Sequence, residues 1–382
     1  MKKTRPLMIL AILVLIASLV ASCASPATQA PAETQAPAAT QPPAAGETQV
    51  PAPEEGAAGP FTIGVSNSFV GSEYRTQMID VLEQVNAEFK EQGLTNDLVI
   101  ESATTDVAGQ IQQIQNLINR GVDAIIVNPG DVEGLNATLS EAVDQGIVVI
   151  AIDQEIGAEG VYNVAINQNE WAKNSAQWFA EKLGGEGDVV LIEGFVGHPA
   201  NVARMSGVEE VLGQYPGINV VGRESGMWDE ATGQQVMSNF LASFPNLDGY
   251  WTQDGMAIGA FQALQAANPE DWPVVVGEGR VRFLKLWQET LETRPDFETI
   301  AVANPPGVAG SGLRIAVELL QGRQIDPSKL EGEWGNTLYM PIPVVVTKDN
   351  FEQVYEEYKD LPDSYLLDGI LSQEEVQQFF QN

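Results

Sequence analysis

Short apolar runs that alternate with amphipathic helical stretches predict an α/β chain built on parallel sheets. From Phe61 the runs are FTIGVS, DLVIES, DAIIVN, IVVIAID, VVLIEG, INVVG, DGYWTQ, PVVVGE, TIAVAN and IPVVVT. They are too numerous for one compact sheet of this type, so the prediction is two Rossmann-like lobes. Gly93, Gly121 and Gly146 each close a helical stretch just before a strand, where a left-handed residue is needed.

The elements follow in order. MKKTRP is basic and Leu7–Val20 is apolar, too short for an ordinary membrane span and suited to a signal-peptide core. Residues 1–22 are therefore expected to be a leader. Cys23, the only cysteine of 382 residues, follows the small residues Ala21 and Ser22. That pattern looks like a lipobox, in which the cysteine is acylated and anchors the mature chain to a membrane. With a single cysteine there is no intramolecular disulfide. Residues 24–60 hold eight prolines and neither an aromatic nor a basic residue. Such a composition cannot bury enough apolar surface to fold, so residues 23–60 read as an acylated cysteine and an extended tether. In YRTQMIDVLEQVNAEFKEQG, Met78, Leu82, Val85 and Phe89 recur at helical spacing. From Thr347 two further helical patterns, FEQVYEEYKD and SQEEVQQFF, read as a packing appendage without chemistry.

The chain carries 52 acidic and 19 basic residues, a formal net charge of −33. That charge repels phosphate backbones and excludes nucleic acid as a partner. GxSxG, P-loop, GxGxxG after a strand and HExxH are all absent. The single histidine, His198, leaves no His cluster for zinc and no Ser-His pair elsewhere; it reads as a loop residue. No catalytic residue, metal site or cofactor is expected.

Ligands of open α/β sheets bind beyond the carboxyl ends of the strands. Those ends here carry Tyr74 and Arg75, Asn128, Asp153, Asn167, Phe195 with Arg204 in the next helix, Trp228, Gln253 and Asp254, Glu278, and Asn304. Planar polar groups suit adjacent hydroxyls, which donate and accept, and aromatic faces cover the C–H faces of a sugar ring. Each position also has an ordinary structural explanation. Asn128-Pro129 can start a turn, Asp153 can cap a helix, Trp228 can be core, and Arg75 can form a surface ion pair with Glu73 or Glu101.

NRGVDAIIVNPGDVEGL, GIVVIAIDQE, GFVGHPANVARMSGVEEVL, MWDEATGQQVMSNFLASFP and TQDGMAIGAFQAL resemble segments of the type I periplasmic sugar-binding proteins of ABC transporters, the ribose- and galactofuranose-binding group. The resemblance runs from about Phe61 to Val346. It implies two lobes joined by three crossings, near Asn167, near Asn304 and between Trp334 and Pro341. The implied division is residues 61–166 with 304–338, then 167–303 with 339–346, with a helical extension at 347–382. It also implies roles: Tyr74 as an aromatic against the sugar, Arg75 as the arginine of a GWR-like motif, and Asn128 and Asp153 as first-lobe ligands. Phe195, Arg204 and Trp228 match second-lobe contacts. Gln154 stands where an arginine often follows the Asp, Gln253 replaces an asparagine before Asp254, and Ala303 replaces a glutamine beside Asn304. Gly279 occupies the Asp position of a GxDG turn. The resulting expectation is a monomeric, lipid-anchored, exported protein that binds a monosaccharide and delivers it to an ABC permease. A sensor of the same fold, passing a sugar or signal molecule to a membrane receptor, stays open. A sugar-responsive repressor would need a DNA-binding head where this chain has a leader, and an enzyme would chemically change the sugar it binds.

Overall fold

The computed structural model describes residues 59–381, so the leader, Cys23 and most of the tether lie outside the described residues. The first half runs β1 (Ile63–Asn67), α1 (Glu73–Glu91), β2 (Val99–Ser102), α2 (Val107–Asn119), β3 (Ala124–Asn128), α3 (Asn136–Asp144), β4 (Val148–Ile152) and β5 (Tyr162–Ala165). Then come α4 (Gln168–Lys182), β6 (Glu186–Glu193), α5 (Pro199–Leu212), β7 (Gly217–Ser225), α6 (Glu230–Ser243), β8 (Gly249–Thr252), α7 (Ala257–Ala267), β9 (Val274–Val276), α8 (Val281–Thr293) and β10 (Thr299–Val302). The chain finishes with α9 (Val308–Leu320), β11 (Thr337–Tyr339), β12 (Val345–Val346), α10 (Phe351–Tyr358) and α11 (Gln373–Gln377).

These strands form two six-stranded sheets, ordered β11-β5-β4-β3-β1-β2 and β12-β10-β9-β8-β6-β7. Every pairing is parallel except β10 with β12. The two orders are the same doubly wound pattern used twice, which is the architecture expected from the alternating runs. Central strands such as IGVSN, AIIVN, GYWT and TIAV are buried along their whole length, because helices cover both faces. The edge strand β7 is largely exposed.

The sequence reading did not include Thr337–Tyr339 among its strands and took in Tyr162–Ala165 only through its end at Asn167, yet both pair in the first sheet. Each is short, and YNVA and TLY offer only a residue or two of apolar pattern. Asn163 holds the pair together. Its side chain bonds Ile156 N and O, Asn336 Oδ1 and Thr337 Oγ1.

The chain passes from the first sheet to the second between β5 and β6. It returns between β10 and β11, with α9 lying on the first sheet, and crosses again between β11 and β12. Gly93, Gly121 and Gly146 take φ of 73°, 68° and 85°, the left-handed helix ends their positions require. Among the described residues no helix is long and apolar enough to cross a membrane.

Candidate functional site

The carboxyl ends of both sheets gather polar and aromatic side chains, and each lobe organises its set around one charged hub. In the first lobe the hub is Asp153, just past β4. Its backbone sits at φ 69°, a left-handed conformation that non-glycine residues seldom adopt and that concentrates at functional positions. Ser72 caps α1 by accepting from Arg75 N at 3.4 Å, which places Tyr74 and Arg75 on the first turn. Tyr74 Oη donates to Asp153 Oδ1 at 3.0 Å and lies 3.5 Å from the Pro305 carbonyl. Asn128 Nδ2 and Gln154 Nε2 approach Asp153 Oδ2 at 3.4 and 3.2 Å. Arg75 Nη1 donates to Asn67 Oδ1 at 3.0 Å, and its Nη2 is 4.0 Å from Asp153. The surface partners considered for Arg75 are taken elsewhere, Glu101 by Arg120 and Glu73 by Arg280. Burial pushes the Tyr74 phenol well up, aided by the Asp153 charge, and lowers the Arg75 guanidinium against the pull of that same carboxylate. Asn128 Oδ1 is buried without a partner, and a buried acceptor calls for a hydrogen-bond donor.

In the second lobe the hub is Arg204 on α5, 3% exposed. Its Nε donates to Gln168 Oε1 at 2.8 Å and its Nη1 to Asp254 Oδ2 at 3.2 Å and Gln253 Oε1 at 3.4 Å. Its guanidinium carbon lies 4.0 Å from the centre of the Trp171 ring. Trp228 donates Nε1–H to Gln253 Oε1 at 2.8 Å and meets Phe195 and His198 edge-on at 5.2 and 4.8 Å. It is half-buried and, like Asp153, has a left-handed backbone, at φ 51°. Gln253 Nε2 continues to Asn201 and Glu193, which Arg223 closes. Burial raises the Asp254 carboxyl, partly offset by Arg204 and Arg280, while Asp153 of the other lobe raises it further. Burial likewise lowers His198, which also feels Asp153, Arg204 and Arg75. The two hubs therefore act on each other's surroundings.

The remaining candidates have visible duties. Asn167 Oδ1 caps α4 by accepting from Asn169 N and Glu170 N, both at 3.1 Å. Asn304 Oδ1 accepts from Gln168 Nε2 at 3.3 Å and so ties the second crossing to the Arg204 network. Glu278 is buried; its Oε2 accepts from Gly255 N at 2.8 Å, and its Oε1 is 2.6 Å from Arg280 Nε without an aligned hydrogen bond. Burial pushes its carboxyl up to about 7 despite Arg280. A Cβ on Gly279 would come within 2.9 Å of the Ala303 Cα, so the turn has no room for a side chain where the resemblance implied an Asp position.

The strand-end reading missed Gln168, Asn67 and Asn201. Gln168 had a signal: it lies on the buried stripe of α4 with Trp171, Ser175 and Phe179, and an amide there needs partners. Among the described residues no cluster of His, Cys, Asp and Glu is placed to hold a metal ion.

Residues 63–324 match the family described as periplasmic binding protein domain. The chain belongs to the periplasmic binding protein family. Membership places its work outside the cytoplasm. The chain is 30% identical to a xylitol-binding protein of Mycolicibacterium smegmatis over 263 residues, 68% of this chain and 71% of that one. It is 27% identical to a ribose import binding protein of Bacillus subtilis over 280 residues, 71% and 87% of the two chains. An ABC transporter solute-binding protein from Thermobispora bispora superimposes with a TM-score of 0.72 at 25% identity, covering 83% of this chain and 94% of that one. One from Bacillus halodurans, with bound myo-inositol, gives 0.65 at 25% identity, covering 79% and 99%. These periplasmic binding proteins are named as binders or importers, which agrees with the absence of catalytic motifs.

Proposed function

We propose that this periplasmic binding protein captures a neutral monosaccharide or related polyol between its lobes and delivers it to an ABC import permease. The observation that carries this reading is the pairing of an acceptor hub, Asp153, with a donor hub, Arg204, on opposite lobes. A hydroxyl donates and accepts, so it is satisfied between them. Charge argues for a neutral ligand. Arg75 faces Asp153, Arg204 faces Asp254, and Arg280 lies between Glu278 and Glu73, so each guanidinium of the site already has a carboxyl partner. Tyr74 and the Trp228–Phe195 pair supply rings for C–H faces. Relatives named for xylitol, ribose and allose and the myo-inositol complex support the same ligand class. Ligand contacts from both lobes make closure favourable only when the site is filled, which lets a permease distinguish loaded from empty protein.

We also propose that acylation of Cys23 anchors the protein to a membrane, a reading supported by the small residues before Cys23 and the proline-rich stretch after it. Cys23→Ser should release the protein from the membrane fraction; unchanged association would end that part. A thermal-shift panel of pentoses, hexoses and polyols tests the ligand class. A binder at about 100 times its Kd adds about 2.7 kcal/mol and a matching rise in melting temperature. A panel without any rise defeats the sugar reading, and a chemically altered sugar would turn it into an enzyme.

A further inference from the structure

The C-terminal tail makes a fourth passage between the lobes. It leaves α10, which packs on α8 of the second lobe, and ends in α11 on α9 of the first. On the second-lobe side Val281 N donates to Tyr365 O at 2.9 Å, Arg282 N to Asp363 O at 3.1 Å, and Leu367 N to Gly279 O at 2.8 Å. On the first-lobe side Gln77 closes both backbone groups of Leu366. Its Nε2 donates to Leu366 O at 3.0 Å and its Oε1 accepts from Leu366 N at 2.9 Å. Asp368 Oδ1 accepts from Gly307 N at 2.6 Å and Gly369 N at 2.8 Å, and its Oδ2 accepts from Gln77 Nε2 at 3.2 Å. Leu367 is buried in the second-lobe core with Trp287 and Phe351, and Leu371 is buried with Val308 and Phe380 in the core that includes the first lobe.

The strap lies directly on two other crossings. A Cβ on Gly307 would fall 2.4 Å from Gly369 O, and one on Gly369 would fall 2.4 Å from Pro343 Cβ. Gln77 is also one helical turn after Tyr74, and Gly307 lies two residues beyond Pro305, whose carbonyl Tyr74 approaches. On the far side Gly279 sits between Glu278 and Arg280. All three hydrogen bonds of the buried Gln77 amide go to the strap.

We propose that Gln77 and Asp368 are positioning residues: through the strap at 362–372 they hold the Tyr74–Arg75 turn and the Pro305–Gly307 crossing against the second lobe, and limit how far the empty protein opens. Rotation about the three ordinary crossings must stretch bonds that fix the strap to both lobes. Holding the turn in place before ligand arrives lowers the ordering cost of binding. The positioning role rests on the proposed ligand contacts of Tyr74 and Arg75; the limit on opening does not.

The test uses the full chain, first without ligand. Asp368→Ala and Gln77→Met should speed hydrogen exchange in peptides covering 72–80 and 305–310 by about tenfold or more, leaving the central strands β3 and β8 unchanged. Both should enlarge the radius of gyration in small-angle scattering. Asp368→Asn keeps the Oδ1 acceptor for Gly307 and Gly369 but loses the bond from Gln77 Nε2, so its exchange and radius should fall between wild type and Asp368→Ala. D-ribose and xylitol then serve as probes, and faster dissociation from the two disruptive variants is expected. Uniformly faster exchange, or unchanged exchange and radius, overturns the proposal. If Asp368→Ala fails to fold, Gln77→Met against Asp368→Asn decides. If neither probe binds wild type, the sugar reading is what suffers, while exchange and scattering still judge the strap.

Discussion

The two halves of the site are built on opposite plans. The first-lobe hub is a carboxylate at a strand end, held in a left-handed backbone and ringed by donors from α1, β3 and its own neighbour. The second-lobe hub is a guanidinium inside the lobe, 3% exposed, stacked on Trp171 and bonded to residues of α4 and the β8 end. The difference teaches that equal importance to a ligand need not mean equal importance to the fold. Asp153 is a group the chain strains to present. Arg204 is a group the lobe is packed around. In the proposed reading, acceptor and donor hubs also divide the labour that a hydroxyl requires.

Breaking the hubs one at a time separates these roles. Arg204→Ala carries the largest expected effect, because it strips Trp171 of its cover and leaves Asp254 and Gln168 without their cation. Removing one partner of a buried pair costs about 3–5 kcal/mol of stability. Chemical denaturation should show that loss; a variant as stable as wild type would mean that Arg204 serves the ligand alone. Asp153→Ala should cost less stability than Arg204→Ala, because Arg75 keeps Asn67 as a partner, and should weaken binding of the best sugar from the panel by about 2–3 kcal/mol, or about 30- to 150-fold. Calorimetry giving wild-type affinity would remove Asp153 from the hub.

Proton linkage sharpens the comparison, since burial raises an acid on the second-lobe side. The Glu278 carboxyl stands at about 7 rather than 4.5. Between those values the folded protein keeps a proton that the unfolded chain has lost, so this group's contribution falls as pH rises through the window. Glu278→Gln keeps an acceptor for Gly255 N and removes the titration. Its stability relative to wild type should therefore improve from about pH 5 to about pH 8, on the order of 1–3 kcal/mol. A constant difference between the two melting curves would place the Glu278 titration elsewhere.

Much of this was legible in the chain. Short continuous apolar runs and helix-closing glycines mark the strands because burial on both faces forces continuous Val and Ile. The hub side chains were legible because topology puts ligands at strand ends. Gln168 was legible only as an amide on a buried stripe; its partner was not, because that depends on meeting Arg204 across two helices. The strap was not legible either. Most of its interlobe bonds use the backbone of residues 363, 365, 366 and 367, which any sequence could supply, and only the Asp368 carboxylate adds a side chain; a tail of two amphipathic segments reads the same whether it ends on one lobe or joins two.

The smallest expected effect concerns Trp228, beside the second-lobe hub. Its ring is half-buried, edge-on to Phe195 and His198, and its Nε1 is tied to the same Gln253 that receives Arg204. If the ring were core, Trp228→Ala would cost about 3–5 kcal/mol of stability. If it is a platform for a sugar face, the loss belongs to binding and amounts to about 0.5–1.5 kcal/mol beyond the area it covers. Trp228→Phe should recover most of that affinity, because a face remains while the bond to Gln253 is lost. Gln253 keeps Arg204 and Asn201 as partners, so the second-lobe network survives the change. Melting curves and calorimetry on the two variants decide it. A stability collapse in Trp228→Ala would make the ring part of the packed hub, and the aromatic side of the site would then fall to Tyr74 and Phe195 alone.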